Sequence, residues 1–173
     1  MRTRIDGDWG AVRRGLNFIY FGAIILVLGT PIGGPLAGVV LVFFGYIHFL
    51  FSPTSALKLL GCGVLISWIV GVIAGLAKAP LVALVAAVVG LSASSLINAR
   101  IGFVFRNRGL YDLATVYTRI LIAGTAVVSL LYLLLEGKQF PTSFAICGIV
   151  LAFIAQFIML KQAKDSIHLE GDT

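Results

Sequence analysis

The feature that most constrains this chain is a series of apolar runs, at roughly 15–30, 36–51, 57–77, 80–99, 114–135 and 140–160. Four of them reach the ~20 residues that a helix needs to cross a hydrocarbon core about 30 Å thick. The first two are shorter and are separated by Thr30-Pro31-Ile32-Gly33-Gly34-Pro35, whose prolines and glycines break a helix and favour a tight turn. They read as a hairpin that either crosses fully, with Trp9, Arg13 and Arg14 as interfacial anchors, or dips in and returns. Composition agrees: 60% of the 173 residues are apolar and 12% charged, against about 45–50% and 25% in soluble domains. A soluble fold of this size cannot hide that much hydrocarbon. The expected fold is therefore all-α, a polytopic transmembrane bundle of six segments forming one integral membrane domain over 1–173, with no linker or charge run to divide it.

Orientation follows the bias of Lys and Arg between loops. With six segments and the N-terminus inside, the inner side holds Arg2, Arg4, Arg13, Arg14, Lys58, Arg100, Arg106, Arg108, Arg119, Lys161 and Lys164, and the outer side only Lys78 and Lys138. Merging the first two runs into one segment leaves six basic residues inside against seven outside, so the eleven-to-two arrangement is preferred. Both termini are expected inside, in the cytoplasmic membrane of a prokaryote. The arginines ahead of the first run resemble the start of a secretory signal, but Pro31 falls where a small-residue cleavage site belongs, so an uncleaved first helix is expected. The net charge of +6 sits in short clusters beside apolar runs, without the basic stripe that nucleic acid requires. Nucleic acid is not an expected partner.

Lipid supplies no hydrophobic drive between helices, so close backbone approach has to hold them together. Gly63, Ser67, Gly71, Gly75 and Ala79 repeat every four residues along the third run. Four residues turn a helix about 400°, so this face drifts slowly and forms one groove. It is the expected helix-packing face, and Ala86, Gly90 and Ser94 offer the same spacing on the fourth run, as do Gly148 and Ala152 on the sixth.

Chemistry is scarce. Ionisable groups at mid-membrane usually mark function, yet Asp6, Asp8, Asp165, Glu170 and Asp172 sit in the tails, Asp112 among basic residues and Glu136 at the end of the fifth run. Cys62 and Cys147 form no CxxC, and His48 and His168 lie far apart, so the sequence points to no metal and to no particular cofactor. No GxSxG, HExxH, Walker A or GxGxxG pattern occurs. The strong hydrogen-bonding groups are Asn17, Asn98 and Gln156, with Ser92, Ser94 and Ser95 making the fourth run polar towards its inner end. Ser94, Asn98 and Gln156 are the candidate lining of a polar cavity. The stretch 100–119 reads as an inner loop whose arginines, Arg100, Arg106 and Arg108 foremost, are interleaved with Phe103, Phe105, Tyr111 and Tyr117. Such a loop suits an anionic leaflet or a docked protein partner.

The expected function is a non-catalytic scaffold or accessory subunit of a larger membrane complex, with lipids and other membrane protein chains as partners. The alternative is a small-solute or ion transporter or channel acting as a homo-oligomer.

Overall fold

In a computed structural model, residues 9–28, 34–134 and 142–171 are described. They form six α-helices: α1 (Gly10–Leu28), α2 (Gly34–Phe49), α3 (Ser55–Leu76), α4 (Pro80–Val104), α5 (Arg108–Leu134) and α6 (Thr142–Gly171). The molecule is an all-helical bundle. Among the described residues three helices, α1, α3 and α4, are long and apolar enough to cross a membrane, and α2 is apolar but shorter. The turn expected at 30–33, Lys138 and Glu136 lie outside the described residues.

The helices differ from the apolar runs mainly at one end. Arg13 and Arg14 lie inside α1, α4 runs past Arg100, α5 opens at Arg108, and α6 carries Lys161 and Lys164. Apolar runs mark where side chains meet hydrocarbon, whereas the helical hydrogen-bond ladder continues into polar sequence that is capped or packed. The expected basic loop over 100–119 is corrected accordingly: Arg100 belongs to α4 and Arg108 and Arg119 to α5, and only 105–107 connect the two helices.

Successive helices run antiparallel, and glycine sets the closest approach. On α1 and α2, Gly15 faces Gly45 and Gly22 faces Gly38. A Cβ built at Gly15 would lie 2.7 Å from the Gly45 carbonyl oxygen, and one at Gly38 would lie 2.7 Å from that of Gly22. Side chains at these positions would force the two backbones apart. On the α3–α4 pair, Gly63, Ser67 and Gly71 lie against Ala93, Gly90 and Ala86 respectively. This contact is looser: a Cβ at Gly63 or Gly71 would sit at 3.9 or 3.8 Å from an alanine methyl, which is ordinary van der Waals contact, and one at Gly75 meets nothing within 4 Å. On α4 the contact uses Ala93, while Ser94 is turned away from α3 towards α2 and α6.

The α3–α4 and α4–α5 connections share one design. The amide of Ala79 bonds the Ala74 carbonyl at 2.9 Å and that of Lys78 bonds Gly75 at 3.1 Å; Asn107 bonds Gly102 at 2.8 Å and Arg106 bonds Phe103 at 3.3 Å. Each is the paired-bond helix stop known as a Schellman motif. The residue it places in the left-handed region is Lys78 (φ 56°) in one and Arg106 (φ 53°) in the other. Glycine is the usual occupant there, and another residue costs about 1–2 kcal/mol. Pro80 opens α4 with its ring in the first turn, where the missing N–H is harmless. Thr54 caps α3 through its hydroxyl, which accepts the Leu57 amide at 3.4 Å.

With the helices alternating in direction, the starts of α1, α3 and α5 share one end of the bundle with the finishes of α2, α4 and α6. Among the described residues the buried core gathers towards that end: Leu16, Phe49, Leu57, Ile97, Ile101, Leu110 and Met159 are all nearly or fully inaccessible. At the opposite end Leu28, Leu36 and Leu76 are exposed. Midway along the bundle α6 leans on α1 through Tyr20 and Phe157, whose rings stack at 5.0 Å.

The two glycine contacts predict different tolerances. Gly45→Ala should destabilise the detergent-solubilised protein by about 1–3 kcal/mol, the usual cost of overpacking, whereas Gly71→Ala should change stability by about 0.5 kcal/mol or less. Thermal unfolding of the two variants side by side makes the comparison, and equal melting shifts would show that the α1–α2 contact yields more easily than its geometry implies.

Candidate functional site

Of the polar side chains singled out from the sequence, Ser94 and Gln156 meet. The face of α4 that carries Leu91 and Ser94 looks into the bundle, because residues three apart share one side of a helix. The Ser94 hydroxyl donates to Gln156 Oε1 at 3.4 Å, and Gln156 Nε2 donates to the Leu91 carbonyl at 3.1 Å. From α2, Tyr46 adds its hydroxyl at 2.6 Å from Ser94 Oγ. Tyr46 is 7% exposed and rests on Phe49. On α5, the Tyr117 hydroxyl donates to the Ala152 carbonyl of α6 at 3.4 Å. Four helices are thus joined around Gln156 and its neighbouring turn. The arrangement is a satisfied network, in which each strong donor has a protein acceptor.

Asn98 is buried one turn beyond Ser94, at 3% exposure, and is not bonded to Ser94 or Gln156. The expected trio therefore divides: Ser94 and Gln156 come together, with Tyr46 added, and Asn98 stands apart. Ser95, on the next face of α4, is fully buried and donates to the Ala114 carbonyl at 2.9 Å, beside Met159 Sδ at 3.8 Å. His48 stacks flat on Phe18, centroids 5.3 Å apart. Buried polar atoms without a protein partner, Asn17 Oδ1, Ser92 Oγ, Arg100 Nε and Gln162 Oε1 among them, lie on α1, α4 and α6. Atoms of this kind are usually hydrated.

The second feature is the α4–α5 junction. Gly102 allows it to close, since a Cβ there would lie 2.8 Å from the Tyr111 amide nitrogen and 3.0 Å from the Asn107 carbonyl oxygen. Asn107 then serves twice. Its Oδ1 accepts the Leu110 amide at 3.0 Å, capping α5, and its Nδ2 donates to Ser166 Oγ of α6 at 2.9 Å. Trp9 meets Phe105 edge to face at 5.1 Å and ties the turn to the start of α1. Beside this turn is an open groove of about 580 Å³ lined by Gly102, Phe103, Arg106, Arg108, Tyr111 and Asp112. The Arg100 guanidinium lies 5.4 Å over the Phe103 ring, at the edge of the same region. Arg106 and Arg108, expected to act together with Arg100, are therefore brought to one surface, and Arg100 reaches it through Phe103.

Comparison with known proteins brings no family model, no curated protein and no solved structure that matches the chain. The class is defined by the fold alone: a helical bundle with, among the described residues, three helices long and apolar enough to cross a membrane, an internally bonded polar centre and a basic, aromatic helix junction.

The polar centre predicts a measurable coupling. Tyr46→Phe and Ser94→Ala should each lower stability, and their double-mutant cycle should return about 0.6–2 kcal/mol, the range for hydrogen bonds between membrane helices. A coupling near zero would mean that the two hydroxyls make no net contribution as a pair.

Proposed function

We infer that this chain is a six-span integral membrane protein, both termini inside, that works as a non-catalytic scaffold or accessory subunit of a larger membrane assembly. The observation that carries the reading is the closure of the polar centre upon itself. Tyr46, Ser94, Gln156 and the Leu91 carbonyl bond one another, which offers a solute few free polar groups and gives the helices a fixed register. Far from the core, α5 and α6 hold exposed apolar side chains such as Ile120, Val127, Leu151 and Phe153, a surface suited to lipid and to the helices of other chains. Orientation is supported by charge. Lys58, Arg100, Arg106, Arg108, Lys161 and Lys164 all fall at the end of the bundle that also holds the α4–α5 turn, while Lys78 is at the other, and the basic end is expected inside.

Two measurements test this. In a background without Cys62 and Cys147, Ala77→Cys should react with an impermeant thiol reagent applied outside, and Gly109→Cys should react only after the membrane is opened. Outside labelling of Gly109→Cys would overturn the orientation. Purification in mild detergent should bring down partner chains at fixed stoichiometry; a homo-oligomer alone, passing a solute across proteoliposomes, would instead establish the transport alternative.

A further inference from the structure

The α4–α5 groove has a chemistry that the scaffold role does not use. Two arginines, Arg106 and Arg108, line it together with one acidic residue, Asp112, and two aromatic residues, Phe103 and Tyr111. Among the described residues neither arginine is in an ion pair, and Asp112 is in none either, although it lies one helical turn from Arg108. The backbone that presents them is held fast: the Schellman bonds fix Arg106, Gly102 closes the turn, and Asn107 binds both α5 and α6. Asn107 also takes the Leu110 and Tyr111 amides, leaving those of Arg108 and Gly109 without an acceptor within the helix, at the positive end of the α5 dipole.

Two arginines in one groove favour an anion, and phosphate matches guanidinium geometry. Asp112 narrows the choice. A carboxylate in the same groove repels a ligand that is anionic throughout but favours one that also carries a cation. Phe103 is 62% exposed and Tyr111 42% exposed, and their rings are 6.2 Å apart. Aromatic residues beside arginine at a helix end are the usual furniture of the membrane interface. We propose that the groove holds the headgroup of an aminophospholipid, its phosphate between Arg106 and Arg108, its ammonium at Asp112, and its glycerol against Phe103 and Tyr111. The proposal rests on the membrane reading above but not on any partner chain. The groove at the other Schellman turn supplies a contrast: about 360 Å³, lined by Ala74, Gly75, Lys78, Ala79 and Pro80, it has one cation and no carboxylate or aromatic ring.

The test uses the purified full chain in detergent, titrated with phosphatidylethanolamine, phosphatidylglycerol or inorganic phosphate while the thermal midpoint is followed. Phosphatidylethanolamine should raise the midpoint at a several-fold lower concentration than phosphatidylglycerol, and inorganic phosphate should not reproduce the rise. Arg106→Gly suits the left-handed backbone, so it should fold at least as stably without lipid yet bind phosphatidylethanolamine roughly tenfold more weakly, as Arg108→Gln should. Asp112→Asn should reverse the preference towards phosphatidylglycerol. An equal response of wild type and Arg106→Gly to phosphatidylethanolamine would overturn the site, and so would the full rise with inorganic phosphate alone. An unchanged preference in Asp112→Asn would overturn the assignment of the ammonium. Cysteine labelling at Ala77 and Gly109 reads orientation independently, so failure of the lipid site and failure of the topology are distinguishable.

Discussion

Hydrocarbon gives a peptide group nothing to bond to, so each buried segment must satisfy its own backbone. Helices follow from that, and because the surrounding lipid is as apolar as leucine, what holds them together is close contact and hydrogen bonds between them. The α1–α2 hairpin shows the consequence. Gly15 with Gly45 and Gly22 with Gly38 bring two backbones together at positions seven residues apart on each helix. Much else is arranged from this pair: α2 extends Tyr46 to Ser94 on α4, and α1 receives α6 through Tyr20 and Phe157. If the hairpin widened, the Tyr46 hydroxyl would withdraw from the network on α4 and α6.

The helical class and the location of each helix are legible in the sequence, because apolar runs of this length have few other solutions. Helix ends are less so. Hydropathy falls where a side chain leaves hydrocarbon, but α5 begins earlier, at a turn capped by Asn107, and no apolar signal marks an asparagine cap. The repeat of Gly63, Ser67 and Gly71 was visible because it recurs every four residues, and that face lies on α4. Tighter contacts on α1 and α2 recur every seven, with only two contacting glycines on each helix, so the same spacing rule passes over them. Ser94 and Gln156 were recognisable as strong hydrogen-bonding groups in apolar surroundings. Tyr46 was not, because a tyrosine near the end of a membrane segment ordinarily reads as an interfacial anchor; only the fold shows its hydroxyl turned inward.

The two Schellman turns separate what a backbone motif does from what its side chains do. Both stop a helix with the same pair of bonds and both place a cation in the left-handed region. A basic residue suits that place on electrostatic grounds, since the last carbonyls of a helix are negative, so Lys78 and Arg106 alike are explained without a ligand. The difference lies around them. After Arg106 come Arg108 and Asp112 on the opening turns of α5, with Phe103 before it, while Pro80 and small residues surround Lys78. The arginine pair, carboxylate and aromatic residues are thus confined to one of two equivalent turns, and the fold itself does not require them there.

Packing is also unequal along the bundle, and this bears on where it can move. Towards the basic end, α1, α4 and α6 are pinned by a core that includes Leu16, Ile97, Ile101 and Met159, by the Asn107–Ser166 bond, and by Trp9 against Phe105. Towards the other end Val27, Leu28, Val72 and Leu76 face outward, so among the described residues burial of large side chains contributes less there. Local opening is easiest where buried contacts are fewest. Among the described residues the side chains that pin the helices thus gather near the α4–α5 junction, and towards the Lys78 end it is the Gly22–Gly38 approach that keeps α1 and α2 together.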